Sequence, residues 1–452
     1  TLPEIDEEMQ ISNPMAPAAE QEVQITGVVP QRTTGVDSAT EAQVEEPVRL
    51  QPTRTSARIA ARKIAGRRIN CNMYHVRNMG VKEGINKFGA VAEEASMAEV
   101  VQLFRTKKVV HPVLRGTLSK TQLKKIIRSS MFLKAKYDSI GEFIKLKARL
   151  VANGAQQHRH LYPDRASPTA GLSSIFMALA IAAAKRHKAA VIDIGGAYLN
   201  AEMTGEEVLM ELDQVLTRFV MKACPECIPY VDHKGKMVVK LDKALYGLIQ
   251  SAKLWYDKLC GVLEKMGFVK NPVDPCVLNR GEGKHLCTLV VFVDDILALS
   301  EMDSEIQSVI DDLRAEFVDV TAKISADFSY LGMHIVMKKE VITVTMEVFV
   351  QELMETYEVT KGADTPATGR LFSQPDSRLL SRLEKEMFHS VTAKLLYLAL
   401  RINPEILLAV NVLSTRVQNP TQDDKDKLER VLQYVYSTQE VGINITGEGI
   451  DQ

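Results

Sequence analysis

The sequence predicts a mixed α+β fold, and three features of the chain support this prediction. Residues 1–70 have the composition of a linker, residues 71–346 alternate between strand and helix patterns, and the chain from residue 347 onward is mostly helical. Apolar residues make up 46% and charged residues 25% of the 452 residues, as in ordinary globular proteins with a sizeable core. This length suggests roughly two to four domains or subdomains.

The N-terminal segment is predicted to be disordered. Residues 1–70 are rich in Pro, Ala, Thr, Glu and Gln and cannot bury enough apolar surface to offset the entropy of the chain. Residues 1–50 carry ten acidic and two basic residues, whereas residues 51–70 carry six basic and no acidic ones. The basic stretch 54–68 could contact nucleic acid or serve as a nuclear address, although a solvated linker is the commoner case. The net charge of −1 gives no global attraction to polyanions, so any such binding must come from local basic patches.

Cysteine usage and the lack of a signal peptide favour an intracellular protein. Six cysteines in 452 residues do not form the framework of a disulfide-rich secreted domain, and a reducing compartment fits them better. The longest apolar stretch, 175–184, is too short to span a bilayer and predicts a buried helix. We expect an intracellular, not a secreted, protein with no membrane partner.

The motif Cys224-Pro225-Glu226-Cys227, with His233 nearby, raises the question of a zinc site. Structural zinc needs four ligands at suitable spacing, and the other cysteines, at 71, 260, 276 and 287, do not provide it. An insertion loop between two strands is the favoured interpretation.

The first half of the folded region combines helices with strands. Apolar residues on one side of 92–105 predict a helix, and residues 130–152, rich in Lys and Arg, predict short strands and turns. Ser173 or Ser174 could cap a helix that runs to about His187. Three strands and a further helix are then expected at 189–194, 208–212, 237–241 and 251–266.

The second half changes from strands to helices. Residues 286–299 are apolar throughout except for Asp294 and Asp295, which predicts two buried strands joined by a tight turn with carboxylates at its tip. Another strand is expected at 341–346. Helices are expected at 347–358, 384–401, 404–416 and 422–437.

Asp294 and Asp295 are the first candidates for chemistry. A charged pair amid apolar neighbours is costly unless something compensates it, and a divalent cation is the natural partner of adjacent carboxylates. Asp193 presents the same problem at the end of the apolar run 189–192. Carboxylates at the ends of two neighbouring strands could hold two Mg²⁺ ions, which serve phosphoryl transfer. The alternative is that the doublet makes a turn and Asp193 caps a strand.

The spacing around these acids resembles the palm motifs of reverse transcriptases. Tyr198 follows Asp193 in the order Asp-x-x-x-Ala-Tyr, and the apolar-apolar-Asp-Asp hairpin comes about a hundred residues later. The resemblance implies that Asp193, Asp294 and Asp295 bind two Mg²⁺ ions, with Mn²⁺ able to substitute. It also implies that Tyr198 lies under the incoming sugar and excludes a 2′-hydroxyl.

Further segments resemble the polymerase of copia-type retrotransposons over roughly residues 72–445. In chain order they are Lys147-Ala148-Arg149-Leu150-Val151, Ser167-Pro168-Thr169, Ala197-Tyr198-Leu199-Asn200, Leu245-Tyr246-Gly247-Leu248-Ile249-Gln250, Trp255-Tyr256, Asp274-Pro275-Cys276, Tyr330-Leu331-Gly332, Leu395-Leu396-Tyr397-Leu398 and Leu413-Ser414-Thr415-Arg416. This resemblance implies a right-hand polymerase with fingers, an antiparallel-sheet palm and a helical thumb. The expected parts are a disordered linker at 1–70, fingers with the start of the palm at 71–190, the palm with the catalytic Asp residues at 191–335, and a helical thumb with the start of a connection at 336–452.

The resemblance also suggests residues that bind the nucleotide. Lys147 and Arg149 are candidates to hold the triphosphate, unless they only belong to a solvated basic strand. Tyr246, Gly247 and Gln250 are expected where the template base and the incoming nucleotide pack. The alternative for these three is a plain turn that leads into the next helix.

Two further roles are implied near the end of the palm. Lys323 is a candidate general acid for the leaving pyrophosphate, although lysines are also common on surfaces. Tyr330, Leu331 and Gly332 are expected near the primer 3′ end.

The implied activity is that of an RNA-directed DNA polymerase, which extends a DNA primer on an RNA or DNA template. Its partners would be the template–primer, dNTPs and other polyprotein segments such as an integrase and a ribonuclease H. Departures from the family pattern at Ile249, at Lys253 and in residues 400–406 favour an alternative, a decayed and catalytically inactive fragment that only binds nucleic acid. A metal-dependent nuclease is a second alternative, which the position of Tyr198 disfavours.

Overall fold

A computed structural model describes residues 78–137 and 143–450, and in these ranges the fold is mixed α+β, as predicted. Three β-sheets occur there, with six, six and four strands. The predicted disorder of residues 1–70 and the basic stretch 54–68 lie outside the described residues. In the described ranges, no helix combines the length and the apolar character needed to cross a membrane.

The strands and helices have the following bounds. The strands are β1 Met79–Gly80, β2 Val110–Val113, β3 Ile127–Tyr137, β4 Phe143–Ala152, β5 Lys188–Ile194, β6 Leu209–Leu212, β7 Met237–Leu241, β8 Val269–Lys270, β9 Val277–Arg280, β10 Cys287–Phe292, β11 Asp295–Ser300, β12 Val320–Ile324, β13 Asp327–Tyr330, β14 Met333–Lys338, β15 Val341–Thr345 and β16 Ile443–Thr446. The α-helices are α1 Val81–Phe88, α2 Ala90–Val101, α3 Lys120–Lys125, α4 Leu172–Ala184, α5 Gln214–Ala223, α6 Ser251–Lys265, α7 Asp303–Glu316, α8 Glu347–Thr356, α9 Arg382–Ala399, α10 Leu407–Ser414 and α11 Gln422–Ser437.

The first sheet has the strand order β1-β3-β6-β7-β2, and β4 also pairs with β3. Its largest element is the long β3–β4 hairpin, so the expectation of short strands and turns at 130–152 was wrong. Leu133, Leu146 and Leu150 face the core, while Lys and Arg occupy the exposed positions between such apolar residues. The basic character of this region therefore belongs to one face of a hairpin, and helix α2 packs against β4 on the other side.

The second sheet, in the order β12-β5-β11-β10-β9-β8, is antiparallel throughout. Its middle strands are apolar on both faces because helices cover both. Ile192 and Ile296 pack in one core with α6 and α7, whereas Val290 and Leu297 pack in another with α4. The strands predicted at 189–194 and on the two sides of the Asp doublet are confirmed.

Helix α4 begins at Leu172 with Gly171 as its N-cap residue, so the predicted cap by Ser173 or Ser174 was wrong. The Gly171 N–H donates to the Asp274 carboxylate at 2.9 Å. An acceptor about a hundred residues away in the chain therefore fixes the start of this helix, and the two serines lie inside its first turn.

The third sheet has the strand order β13-β14-β15-β16, and β16 is the last strand of the described chain. The strand predicted at 341–346 is confirmed as β15, but β16 was not expected after the helical tail. It pairs antiparallel with β15, and the register sets Val341 opposite Thr446. The four helices predicted in the tail are present with shifted ends, and one of them is a 3₁₀ turn at Pro404–Ile406 followed by α10.

Candidate active site

The site is built around the turn between β10 and β11. Phe292 pairs with Asp295, so Val293 and Asp294 are the two central residues of a tight hairpin turn. Val293 has φ +59°, whereas Asp294 has a negative φ, as in a type II′ turn. A left-handed conformation costs a β-branched residue roughly 1–2 kcal/mol, so neighbouring contacts must hold this turn in place.

Strand β5 brings the third acid to the same edge of the sheet. Asp193 is the register partner of Asp295, and side chains of directly opposite residues lie on the same face. The Ile194 N–H also donates to the Asp294 carbonyl at 3.3 Å. The three predicted acids are therefore neighbours, although they are about a hundred positions apart in the chain.

Two of the three carboxylates have a raised pKa. Burial, together with the charges of Asp294 and Asp193, raises the pKa of Asp295 to about 6. Burial also raises the pKa of Asp193, with a further contribution from Asp294 that Lys147 opposes. The negative charges thus destabilise each other, and a bound cation would relieve that repulsion.

The donor set suits a hard divalent cation, because it consists of carboxylate oxygens alone. As the side chains stand, no group of three or more His, Cys, Asp or Glu residues in the described ranges is close enough to hold a metal ion. The backbone register brings the acids together, and carboxylates that repel each other would need to turn toward a shared ion. The residues present therefore fit Mg²⁺ by chemistry and by backbone position.

A basic face lies opposite these acids. Lys134 pairs with Lys147, and Lys136 pairs with Lys145, so lysines sit directly across from lysines on the exposed face of β3 and β4. Like charges in such positions are destabilising, and none of these four residues forms a salt bridge within the described part of the chain. Burial and the charges of Arg149 and Lys136 lower the pKa of Lys147, while Asp193 acts in the opposite direction. The exposed lysines therefore give this face a positive potential, which favours binding of an anion.

Two tyrosines and an arginine join the acids to the basic face. The rings of Tyr198 and Tyr246 lie 5.1 Å apart, and the Arg149 guanidinium lies 5.2 Å from the centre of the Tyr246 ring. Burial raises the pKa of Tyr246 to about 12. Burial and the nearby Asp294 also raise the pKa of Tyr198. Four predicted nucleotide-binding residues, including Lys147, therefore surround the acidic edge.

The turn that carries Tyr246 packs tightly on the end of β4. Gly247 has φ +91°, and a Cβ at this position would lie 2.2 Å from the Ala152 carbonyl oxygen, so only glycine fits. The Ala152 N–H in turn donates to the Tyr246 carbonyl at 2.8 Å. These contacts fix the position of the Tyr246 turn relative to the β3–β4 hairpin.

Gln250 lies below the surface of the site. It is only 5% exposed, and its Oε1 accepts a hydrogen bond from Gln157 Nε2 at 3.1 Å. Gln157 Oε1 accepts from the Ile249 N–H at 2.9 Å. Gln250 and Gln157 together therefore support the turn at Ile249 from below.

Lys323 lies on β12, the strand that pairs with β5 on the side away from β11. Its register partner is Val191, and its ammonium group is 3.5 Å from the Asp327 carbonyl oxygen. Asp193 pairs with Thr321 in the same ladder, so Lys323 is a diagonal neighbour of Asp193 on the same face of the sheet.

The predicted primer segment forms the turn between β13 and β14. Leu331 and Gly332 both have positive φ, +48° and +78°. Tyr330 is 2% exposed, and its hydroxyl donates to the Val290 carbonyl at 3.1 Å. The Tyr397 hydroxyl donates to the Leu331 carbonyl at 2.7 Å, so this turn is fixed from two directions.

Two charged residues beside the site, Lys107 and Asp319, were not predicted from the sequence. Lys107 donates to the Gly195 carbonyl at 2.7 Å and to Asn200 Oδ1 at 3.1 Å, which fastens the loop between Asp193 and Tyr198. A Cβ on Gly195 would lie 1.8 Å from Asp319 Oδ2, which explains a glycine directly after the strand. Both contacts join distant segments, so no local pattern encodes them.

Glu99 is a third residue that the sequence interpretation missed. It is 7% exposed on α2, and its carboxylate accepts the Leu150 N–H at 3.0 Å. Burial raises the pKa of the Glu99 carboxyl, and the positive charges of Lys147 and Arg149 act in the opposite direction. Its place on the buried side of α2, with Ala92 and Ser96, was the available signal.

The Cys-x-x-Cys motif belongs to the core. Cys224 and Cys227 are buried free thiols between α5 and β7, and burial raises the pKa of Cys227 to about 11. Protonated, buried thiols pack as small apolar groups. The motif therefore has an ordinary structural explanation.

Comparison with known proteins identifies the family. The chain matches the family model described as reverse transcriptase (RNA-dependent DNA polymerase) over residues 117–368, more than half of its length. It is 26% identical over 326 residues to the retrovirus-related Pol polyprotein from transposon TNT 1-94 of Nicotiana tabacum, covering 70% of this chain and 23% of that protein. It is 28% identical over 322 residues to the Pol polyprotein from transposon RE1 of Arabidopsis thaliana, covering 68% of this chain and 20% of that protein.

A more distant relative is the transposon Ty1-H Gag-Pol polyprotein of Saccharomyces cerevisiae. It is 24% identical over 341 residues, which cover 70% of this chain and 17% of that protein. The chain thus spans about a fifth of the length of these polyproteins. The resemblance found in the motifs is confirmed, and the chain belongs to the reverse transcriptase (RNA-dependent DNA polymerase) family, in the group found in copia-type LTR retrotransposon polyproteins.

Proposed function

We propose that this chain is a working RNA-directed DNA polymerase that extends a DNA primer on an RNA or DNA template. The observation that carries the proposal is the meeting of Asp193 and Asp295 at the sheet edge, next to Asp294. Across from these acids lies a face rich in lysines that form no salt bridge with any other described residue, and such a face could bind a triphosphate. The proposal assigns residues 71–190 to the fingers with the start of the palm, 191–335 to the palm, and 336–452 to the thumb with the start of a connection.

The metal site is proposed at the carboxylates of Asp193, Asp294 and Asp295. When bound there, two Mg²⁺ ions would supply activation of the attacking 3′-oxygen and stabilisation of the leaving oxygen, and Mn²⁺ could replace them. The raised pKa of Asp295, caused by burial and by the charges of Asp294 and Asp193, supports cation binding, because at neutral pH a bound cation would offset the repulsion between the ionised carboxylates.

The nucleotide is proposed to lie between the acids and the basic face. Lys147 and Arg149 would neutralise the triphosphate, and their neighbours Tyr198 and Tyr246 would contact the sugar and base. Gln250 acts in this proposal by supporting the Tyr246 turn from below. The expected roles of Lys323 as general acid and of 330–332 as a primer contact stay predictions.

Primer extension tests the proposal directly. The assay uses poly(rA)/oligo(dT), dTTP and Mg²⁺, and compares the unaltered chain with Asp294→Asn. We expect the substitution to abolish extension while the circular dichroism spectrum stays the same, because the acid is required for chemistry rather than for folding. Asp364→Asn, at an exposed aspartate far along the chain, is the matched control and should keep full extension. Full extension by Asp294→Asn would refute the assignment of the acids.

The same assay separates two other functions. A decayed element would bind the template–primer in a filter assay but extend nothing. The departures from the family pattern at 400–406 in the tail favour this alternative, and the intact carboxylates disfavour it. A nuclease would shorten the labelled primer. Polyprotein partners such as an integrase and a ribonuclease H, and a location in a cytoplasmic particle or the nucleus, belong to this proposal as well.

A further inference from the structure

The only tryptophan of the chain contacts the turn that carries the acids. Trp255 lies on α6, is 1% exposed, and donates its indole Nε1–H to the Val293 carbonyl at 2.7 Å. Val293 is the residue with φ +59°, directly before Asp294. We propose that Trp255 is a positioning residue, whose indole N–H holds the turn in the conformation that presents Asp294 and Asp295. This inference rests on the proposed polymerase function.

The turn needs such a contact for two reasons. A valine resists positive φ, so the turn is held in a conformation that its own residues do not favour. The carbonyl of Val293 also lies outside the β10–β11 ladder, which ends at the Phe292–Asp295 pair, and a partly buried carbonyl without a ladder partner is stabilised by a protein donor. The indole N–H supplies that donor from a rigid helix, whereas a water molecule would not define a position.

Helix α6 also forms hydrogen bonds with the turn that carries Tyr246. Ser251, the first residue of α6, donates its hydroxyl to the Leu245 carbonyl at 2.6 Å and accepts the Leu245 N–H at 3.1 Å. Leu245 directly precedes Tyr246. Ser251 and Trp255 are four residues apart, so they lie on the same side of the helix, one turn apart. Helix α6 therefore sets the distance between the Tyr246 turn and the turn with the acids.

A purely structural role for Trp255 makes a different prediction. The indole packs against Phe317 with ring centres 5.4 Å apart, inside the core shared by α6, α7 and the second sheet. That packing needs the ring but not its N–H group. Removal of the N–H with the ring retained therefore separates positioning from packing.

A sulfur analogue of tryptophan makes this change at a single site. Growth of a tryptophan auxotroph on benzothienylalanine replaces the indole N–H by sulfur, and Trp255 is the one position affected in this chain. Incorporation of 4-fluorotryptophan by the same route keeps the N–H and controls for the procedure. Phe317→Leu is the matched packing control, because it removes the ring contact and leaves the hydrogen bond in place.

Two measurements decide the inference. With the sulfur analogue, kcat for dTTP incorporation should fall about tenfold while KM stays close to its starting value, because the acids are displaced and the nucleotide surface is not. Hydrogen exchange of residues 291–296 in the metal-free protein should become faster. Phe317→Leu should lower the melting temperature and keep kcat within about twofold.

The outcomes distinguish this inference from the proposed function. If the sulfur analogue and the fluorinated protein have equal kcat and equal exchange at 291–296, Trp255 is a core residue only and the inference is overturned. If none of the proteins extends a primer, the polymerase proposal fails. The exchange measurement then still decides whether the Trp255 N–H holds the turn.

Discussion

Replacement of Asp295 by asparagine should make the metal-free protein more stable at neutral pH. Burial, with the charges of Asp294 and Asp193, raises the pKa of Asp295 to about 6. A folded-state pKa above the ordinary value of 3.8 means that the folded protein binds this proton more tightly than the unfolded chain does. The carboxyl group therefore contributes stability that is fully present below about pH 4 and is lost as the pH rises through about 6.

The size of this effect follows from the same values. The difference between about 6 and 3.8 corresponds to about 3 kcal/mol, at 1.36 kcal/mol for each pH unit. Because the side chain is only half-buried, water screens the repulsion, and we expect roughly half of that figure, on the order of 1–2 kcal/mol at pH 7. Asp295→Asn keeps the shape of the side chain without its charge, so this loss should not occur in the variant.

Urea unfolding in EDTA between pH 4 and pH 8 measures the effect. The free energies of unfolding of wild type and Asp295→Asn should be similar near pH 4 and should diverge in favour of the variant above about pH 6. Asp364→Asn, at an exposed position, should follow the wild type at every pH. A variant that is no more stable than wild type at pH 7, or a difference that does not depend on pH, would refute the reasoning. Addition of Mg²⁺ should stabilise the wild type and leave Asp295→Asn nearly unchanged.

Three other substitutions test the surroundings of the acids. Gly247→Ala should destabilise the fold by more than about 2 kcal/mol in urea unfolding, because strain and a clash with the Ala152 carbonyl add together. Gly205→Ala is its control, with a similar φ of +77° and open space around the Cβ, and an equal loss at both glycines would mean that the close approach to β4 is unimportant. Tyr198→Ala should raise the ratio of ribonucleotide to deoxyribonucleotide incorporation, and an unchanged ratio would remove its proposed role. Lys147→Gln should raise KM for dTTP roughly tenfold with less effect on kcat, since it removes one charge from the triphosphate face, and an unchanged KM would count against triphosphate binding there.

The parts of the site that were predicted from sequence are those with a local pattern. Asp294 and Asp295 interrupt an apolar run, and two adjacent carboxylates can avoid burial there only if they lie at a turn. The hairpin and the position of the acids at its tip were therefore predicted from the residues alone. The strand before Asp193 was equally clear, because it is apolar on both faces. That the two strands are neighbours was not derivable from these patterns, and it came from the family resemblance.

The parts that were missed depend on contacts between distant segments. Asp274 accepts a hydrogen bond at the start of α4, and Lys107 donates one to the loop after Asp193. Neither contact can be predicted from the residues next to it in the sequence. The buried amide pair of Gln250 and Gln157 also joins segments about ninety residues apart, so no local pattern predicts it. The β3–β4 hairpin was missed for another reason: its exposed positions are filled with Lys and Arg, which are poor indicators of strands.

The pairing of β16 with β15 has a consequence for how the protein folds during synthesis. Val341 and Thr446 are about a hundred positions apart, and all the helices from α8 to α11 lie in the chain between them. Until the segment Ile443–Thr446 has left the ribosome, the hydrogen-bonding groups on one side of β15 have no partner, and an open strand edge promotes association with other chains. Nascent polypeptides that stop within the helical tail should therefore depend on chaperones far more than the completed chain does.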